Sequence, residues 1–327
     1  MRRATSKNPS FPRISKKCIL TLNSYAKLNL YLEVLKKRPD KYHDLNTLFE
    51  RITLCDRISL KPLEDSLIRV YCTDKQLQEN PRKNLAYLSA MLLRKRFRIK
   101  NGVEIRIEKN IPVGSGMGGG SSNAATVLLG LNMLWGLGLT KYELAAIGAK
   151  IGSDVPFFIY DVPFALGKGR GERIQPLKRL SNMRLWHILV VPRLSVSTPK
   201  IYEEFDICTK SLKLPKPKVK INSNRGMNLL TMPQSNVKIL YLGIRKRSPS
   251  LIKRGLFNSL EPITASIYPG IRHIKEIFSS IGLKSILMSG SGPAVFGICS
   301  SRKEAVRLYK RFRRLDKSSR IFLVRTI

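Results

Sequence analysis

The chain is short of acid, cysteine and histidine and has no long apolar run, and each shortage closes off a class of function. Cysteine occurs five times, at Cys18, Cys55, Cys72, Cys208 and Cys299, scattered and without a C-x-x-C pair. An odd, dispersed set makes no disulfide framework and suits a reducing compartment. His43, His187 and His273 are the three histidines, and they form no H-E-x-x-H; no metal cage built by protein side chains is expected. The longest apolar candidate, Ala124 to Leu139, is broken by Asn132 and three glycines, which excludes a helical membrane span.

Acid is the deepest shortage, with 22 Asp and Glu against 60 Lys and Arg and a formal charge of +38. Such an excess first suggests nucleic acid. The bases are spread along the whole chain, however, and no RNA-binding signature or basic zipper accompanies them. The longest acid-free zone, rich in Lys and Arg, runs from Ile207 to Leu260, and Arg307, Lys310, Arg311, Arg313 and Arg314 recur at the spacing of a solvated helix face. A lysine-rich proteome or an anionic substrate therefore explains the charge better than a specific nucleic-acid partner. The first 17 residues are basic and acid-free and lack the apolar core of a secretory signal. They read as a tail on a cytoplasmic protein, or one of an organelle stroma should the tail act as a transit segment.

Hydrophobic residues make up 43% of 327 residues, enough for packed cores, and the length exceeds what one core usually serves. The expected division is a tail over 1–17, a first domain over 18–175 and a second over 176–327. In Ala26–Leu35 the side chains of Leu28, Leu30, Leu32 and Val34 alternate as on a half-buried strand; Lys27 and Asn29 share the other face, where Lys27 taken alone reads as an exposed edge lysine. Arg38-Pro-Asp-Lys-Tyr-His reads as a turn. Strand-like pieces follow at Leu48–Thr53, Ile58–Leu60 and Leu67–Cys72. Asn84 opens a helix with Leu85, Leu88, Leu92 and Leu93 on one side, and Val103, Ile105 and Ile107 alternate on a strand. Thr140 and Glu143 form a capping box. Later come strands at Leu185–Val191, Ser285–Met288 and Ala294–Cys299, a helix from Pro269, a basic helix and a last strand at Ile321–Val324. Pro215–Arg225 reads as a basic, mobile connection. Strands and helices mix without βα alternation, so the expected class is α+β.

Between a strand and a helix lies Gly114-Ser-Gly-Met-Gly-Gly-Gly-Ser-Ser. Such a loop aims several backbone N–H groups and a helix N-terminus at one anion, so polyphosphate is its natural occupant. Gly120 precedes Ser121 where a Walker A loop needs lysine, which rules that motif out. Gly114, Gly116 and Gly119 spell G-x-G-x-x-G, but the preceding strand alternates with charges, unlike a central parallel strand.

Pro112-Val-Gly-Ser-Gly-Met-Gly-Gly-Gly-Ser-Ser-Asn-Ala-Ala resembles the second motif of the GHMP small-molecule kinases. Tyr25-Ala-Lys-Leu-Asn-Leu-Tyr-Leu, Arg38-Pro-Asp-Lys-Tyr-His, Ile151-Gly-Ser-Asp-Val-Pro-Phe-Phe, Gly167-Lys-Gly-Arg-Gly-Glu, Phe257-Asn-Ser-Leu-Glu-Pro and Met288-Ser-Gly-Ser-Gly-Pro follow the family in order. The resemblance implies two α+β domains, the first like ribosomal protein S5 domain 2 and the second ferredoxin-like. It implies transfer of phosphate from ATP, with Mg²⁺ carried mainly by the nucleotide, to an alcohol joined to cytidine diphosphate.

By that resemblance Asp154 is the catalytic base and Lys27 its partner; read alone, Asp154 is a turn carboxylate. ATP would be held by Pro112, Val113, Gly114, Ser115, Gly116, Met117, Gly118, Gly119, Gly120, Ser121 and Ser122. Asn84 and Lys109 would assist, although Asn84 equally reads as a helix cap. Asn29 would touch substrate, Tyr42 and Tyr202 would stack on the cytosine, and His43 would bond its edge; each tyrosine alone reads as a packing residue. Gly290, Ser291 and Gly292 match the third motif, a turn expected near the phosphate loop. Lys41 stands where the family usually has glycine. A kinase of another small alcohol and a basic RNA-binding protein on an inactive kinase fold are the alternatives.

Overall fold

A computed structural model describes residues 18–211 and 236–327; the tail 1–17 and the expected connection Pro215–Arg225 lie outside the described residues. Two long strands come first, β1 (Leu20–Lys37) and β2 (His43–Leu63), then β3 (Ile68–Cys72). Helices α1 (Lys75–Glu79) and α2 (Leu85–Phe97) precede β4 (Gly102–Glu108). The glycine loop then leads into α3 (Gly119–Leu134), α4 (Lys141–Gly148) and α5 (Val155–Tyr160). A hairpin of β5 (Phe164–Gly169) and β6 (Arg173–Pro176), strand β7 (Trp186–Val191) and helix α6 (Thr198–Ser211) follow. The remainder runs α7 (Asn236–Arg245), α8 (Pro249–Gly255), β8 (Phe257–Asn258), α9 (Glu261–Ile267), α10 (Gly270–Ser280), β9 (Ile286–Met288), β10 (Val295–Cys299), α11 (Arg302–Leu315) and β11 (Arg320–Arg325).

The contacts divide the chain into two compact units that interleave in sequence. One takes the chain up to Ser24, Cys55–Asn110 and Gly120–Tyr160; the other takes Tyr25–Leu54, Ile111–Gly119 and Asp161–Ile327. Strands β1 and β2 each begin in one unit and end in the other, so no single point on the chain parts the two.

In the first unit β4 pairs antiparallel with the end of β2, from Arg57↔Glu108 to Leu63↔Gly102, and parallel with β3. The alternation read in Val103, Ile105 and Ile107 puts all three in the core. Helix α3 is buried along most of its length. At Gly130 an added Cβ would lie 2.4 Å from Leu60 Cδ1, so this glycine sets how closely α3 lies on β2. Helix α4 starts on the capping box read from Thr140 and Glu143, and Asn84 caps α2.

In the second unit the start of β2 pairs with β5, β5 with β6, and β1 parallel with β8. The pieces read as Leu48–Thr53 and Ile58–Leu60 are thus one strand, its polar residues at 55–57 included. A separate antiparallel sheet has the order β11-β7-β10-β9. Ile274, Ile277, Phe278 and Ile281, read as the apolar face after Pro269, are buried against it with Phe312 of α11. A second cluster gathers Leu28, Leu30, Leu48, Ile111, Met117 and Phe296. No helix among the described residues is long and apolar enough to cross a membrane.

Candidate active site

The glycine loop is held by its own backbone. Gly114, Gly116 and Gly118 have φ of 66°, 77° and 68°, a region that costs a side chain about 1–2 kcal/mol. Around Gly114 an added Cβ would meet nothing within 4 Å. At Gly116 it would lie 2.4 Å from the Ser289 carbonyl oxygen and 2.9 Å from that of Gly292. The Ser289 hydroxyl donates to the Gly116 carbonyl, and the Ala294 N–H donates to the Ser115 carbonyl. The 289–294 turn, with Gly290, Ser291 and Gly292, therefore lies against the loop. Ser115 and Met117 are buried, while Val113 and Gly114 are exposed; Pro112, between Ile111 and Val113, gives its carbonyl to the Ser115 hydroxyl at 2.6 Å.

Strand β1 brings Lys27 to the same loop, its backbone N–H donating to the Met117 carbonyl at 3.0 Å. Lys27 is not an exposed edge residue. It is only 4% exposed and Asn29 3%, because β1 has partners on both sides, β2 and β8, and both of its faces are covered. The Lys27 ammonium donates to Asn29 Oδ1 and lies 5.6 Å from the Phe49 ring centre. Asn29 Nδ2 donates to the Thr47 hydroxyl at 2.9 Å, and the Asn29 N–H donates to the Ser289 hydroxyl. A buried ammonium is thus fixed by an amide whose other end is also held. Near it, a Cβ on Gly290 would come 3.4 Å from Asn29 Oδ1 and 3.1 Å from the Gly116 carbonyl.

Gly119, which ends its stretch of the second unit, and Gly120, which opens the next stretch of the first, start α3; in the first unit Ser121 is half-buried and Ser122 buried. The Ser122 and Ser24 hydroxyls share a hydrogen bond of 2.8 Å, and Asn123 Nδ2 donates to both Ser24 Oγ and Asp56 Oδ2, each at 2.9 Å. Asp56 is wholly buried and takes the Lys109 ammonium on Oδ2 and the Asn110 N–H on Oδ1. Lys109, expected at the nucleotide, is thus anchored by a carboxylate that sequence reasoning missed. The signal was there: Asp56 shares the inward face of β2 with Ile58 and Leu60, where a carboxylate needs a reason. Asn84 caps α2 through Oδ1, but its buried Nδ2 has no partner. A cap needs only the oxygen, so that amide has a donor in hand for a ligand. Asp154 is half-buried and lies in the turn between α4 and α5; Val155 donates to the Gly152 carbonyl there. Among the described residues no three His, Cys, Asp or Glu side chains are grouped to hold a metal ion.

The second unit also carries the aromatic set. Tyr42 is 55% exposed and lies under the Arg170 guanidinium, 4.9 Å from the ring centre. The turn before it is closed by Arg38, which bonds the Tyr42 carbonyl and the carboxylates of Asp40 and Asp44. Lys41 has φ 66°, the region glycine would have taken without strain. His43 opens β2 and is buried; its ring stacks on Tyr202 at 5.1 Å and its Nε2 lies 2.7 Å from Asp206 Oδ1. Lys37 holds the other oxygen of Asp206. Burial works against the Asp206 charge, but the hydrogen bonds from Lys37 and His43 outweigh it and keep the carboxyl below its usual range. Ser291 bonds Thr198, the first residue of α6, at 2.7 Å. Tyr202 and Asp206 sit one turn apart on α6, a helix not read in the sequence, and Asp206 was not among the expected site residues.

Comparison with known proteins bears on the same segments. The description "GHMP kinases N terminal domain" matches residues 84–162, and "GHMP kinases C terminal" matches 240–317. A 4-diphosphocytidyl-2-C-methyl-D-erythritol kinase of Geobacillus sp. (strain WCH70) is 40% identical over 294 residues, 90% of this chain and 93% of the relative. A crystal structure of 4-(cytidine 5'-diphospho)-2C-methyl-D-erythritol kinase superposes with a TM-score of 0.73 and 29% identity, covering 94% of this chain and all of that one. Homoserine kinase from Cytophaga hutchinsonii superposes with a TM-score of 0.69 at 17% identity, over 96% of each chain, a likeness of fold.

Proposed function

The chain belongs to the GHMP kinase family, and from that premise we propose that it transfers the γ-phosphoryl group of ATP to the 2-hydroxyl of 4-diphosphocytidyl-2-C-methyl-D-erythritol. The products are the 2-phosphate and ADP, a step of non-mevalonate isoprenoid synthesis, carried out in the cytoplasm. The observation that carries this reading is Lys27: a buried ammonium, fixed by Asn29, on a strand bonded to the glycine loop at Met117. A 40% identity, aligned over 90% of this chain, to a kinase named for that substrate supports it.

Phosphoryl transfer asks the protein for positioning and for positive charge rather than for covalent chemistry. Pro112–Ser122 would cradle the triphosphate with backbone N–H groups and the start of α3. The unpartnered amide of Asn84 would meet the adenine, and Lys109, held by Asp56, would stand by the nucleotide. Asp154 would take the proton of the attacking hydroxyl, and Lys27 would favour the alkoxide that forms. Asn29 and the 290–292 turn would orient the alcohol, and Tyr42, His43 and Tyr202 would hold the cytosine. The hydroxyls at the start of α3 would face Mg²⁺ carried on the phosphates, and the ion would supply charge neutralisation there.

The test is ADP release from ATP with and without the diphosphocytidyl alcohol. Release that depends on this alcohol, and that falls about a hundredfold to a thousandfold in kcat on Lys27→Met, supports the reading. Release that depends instead on homoserine or mevalonate, or Lys27→Met turning over at the wild-type rate, overturns it.

A further inference from the structure

Helix α6 builds a clamp for one imidazole. Tyr202, Phe205 and Asp206 stand at the i, i+3 and i+4 positions that share a helix face, and all three meet His43. Tyr202 stacks on the ring at 5.1 Å and 25°, Phe205 meets it edge-on at 6.4 Å and 89°, and Asp206 Oδ1 lies 2.7 Å from Nε2. The aromatic contacts fix the ring plane and the carboxylate fixes its rotation within that plane. The His43 side chain is 5% exposed, so it has no room to turn over.

The carboxylate already has its counter-charge, because Lys37 binds Oδ2. A carboxylate only accepts hydrogen bonds, so Nε2 must carry the proton. With Lys37 balancing Asp206, the set is neutral when His43 is neutral, and the second ring nitrogen, Nδ1, is then an acceptor.

We infer that Asp206 is a positioning residue that holds His43 as its Nε2–H tautomer, so that Nδ1 selects a pyrimidine bearing an exocyclic amino group. Cytosine offers that donor at its 4-position, whereas uracil offers an oxygen acceptor. Two acceptors facing each other without water leave both unsatisfied, which is expected to separate the bases about tenfold to a hundredfold in affinity. The inference rests on the proposed reading of His43 as a base contact. It adds that the choice of base is made by a residue 163 positions away that touches no part of the ligand.

The test uses the full chain labelled with ¹⁵N-histidine, whose three histidines give a spectrum assignable with His187→Gln and His273→Gln. At neutral pH the His43 shifts should report a protonated Nε2 and a bare Nδ1. Titration with cytidine 5'-diphosphate and uridine 5'-diphosphate should favour cytidine by at least about tenfold. Asp206→Asn keeps the shape, but its amide can donate to Nε2 and so admits the other tautomer; the cytidine preference should shrink to about threefold or less in a chain that circular dichroism shows to be folded at the assay temperature. An Nδ1–H tautomer in the wild type, or a cytidine preference untouched by Asp206→Asn, overturns the inference. A chain that keeps the cytidine preference but phosphorylates no diphosphocytidyl alcohol overturns the proposed activity and leaves the base selection standing.

Discussion

Alanine placed at three glycines of one loop should give three different answers, because the structure gives each glycine a different reason to be there. At Gly114, φ is 66° and the surroundings are open. The backbone strain of about 1–2 kcal/mol is offset by roughly 0.4–1 kcal/mol from the stiffer unfolded chain, leaving a loss of about 1 kcal/mol. Gly116 has the same strain at φ 77°, and its Cβ would also enter within 2.4 Å of the Ser289 carbonyl. Backbone cannot swing aside as a side chain can, so overpacking adds about 1–3 kcal/mol, for a total near 2–4 kcal/mol. Gly120 is helical and its Cβ would meet Leu85 Cδ1 at an ordinary 3.5 Å. Alanine there should stabilise by up to about 0.8 kcal/mol through helix propensity. Urea midpoints, with slopes checked for equality, measure all three. Equal losses at Gly114 and Gly116 would refute the claim that the loop is locked against the 289–292 turn. Activity should order them differently: Gly114→Ala, the mildest of the two strained sites, should still raise the KM for ATP about tenfold or more if its open side is where phosphate lies.

Four further outcomes are expected. Lys41→Gly should stabilise the fold by about 0.5–1 kcal/mol, since relief of a left-handed lysine (φ 66°) exceeds the entropy cost of glycine; a loss of stability would show the turn to be unstrained. Asp56→Ala should destabilise by about 3–5 kcal/mol, because it strands the buried Lys109 ammonium, and a melting temperature near wild type would argue that Lys109 finds another anion. The Asp206 carboxyl lies below its unfolded value, so its contribution to stability is present above about pH 4 and is lost as pH falls through the folded value. The stability gap between wild type and Asp206→Asn should therefore close in acid titrations below about pH 4, and a gap that widens there would reverse the sign of the argument. Tyr42→Ala should cost about 1–3 kcal/mol of cytidine diphosphate affinity with little change in melting temperature, since the ring is largely exposed.

Much of this protein was legible from local pattern. Alternation in Leu28–Val34 and Val103–Ile107, the Thr140–Glu143 box and the i, i+3, i+7 apolar face after Pro269 depend on geometry a few residues long, and each produced its element. The glycine loop was legible for a related reason, since positive φ and close backbone approach leave a mark at single positions. Helices α6 to α9 were not read, because they mix apolar and polar residues over short spans and three of them contain proline, so no periodic face stands out locally. The interleaving of the two units was hidden as well, since nothing in β1 or β2 changes where the strand passes from one to the other.

What the order of residues determined alone was the set of short-range conformations and the identity of the reactive groups: a lysine and an asparagine on one strand face, glycines at a helix start, an aromatic pair after a turn. What tertiary structure decided was which of those groups lost water and which partner each then met. Alternation says that Lys27 and Asn29 share a face but not that the face is covered, and no local rule ties Asp206 to His43 or Asp56 to Lys109. Burial removes the solvent that would otherwise satisfy a charge, so only when distant segments close over a side chain does its partner become obligatory.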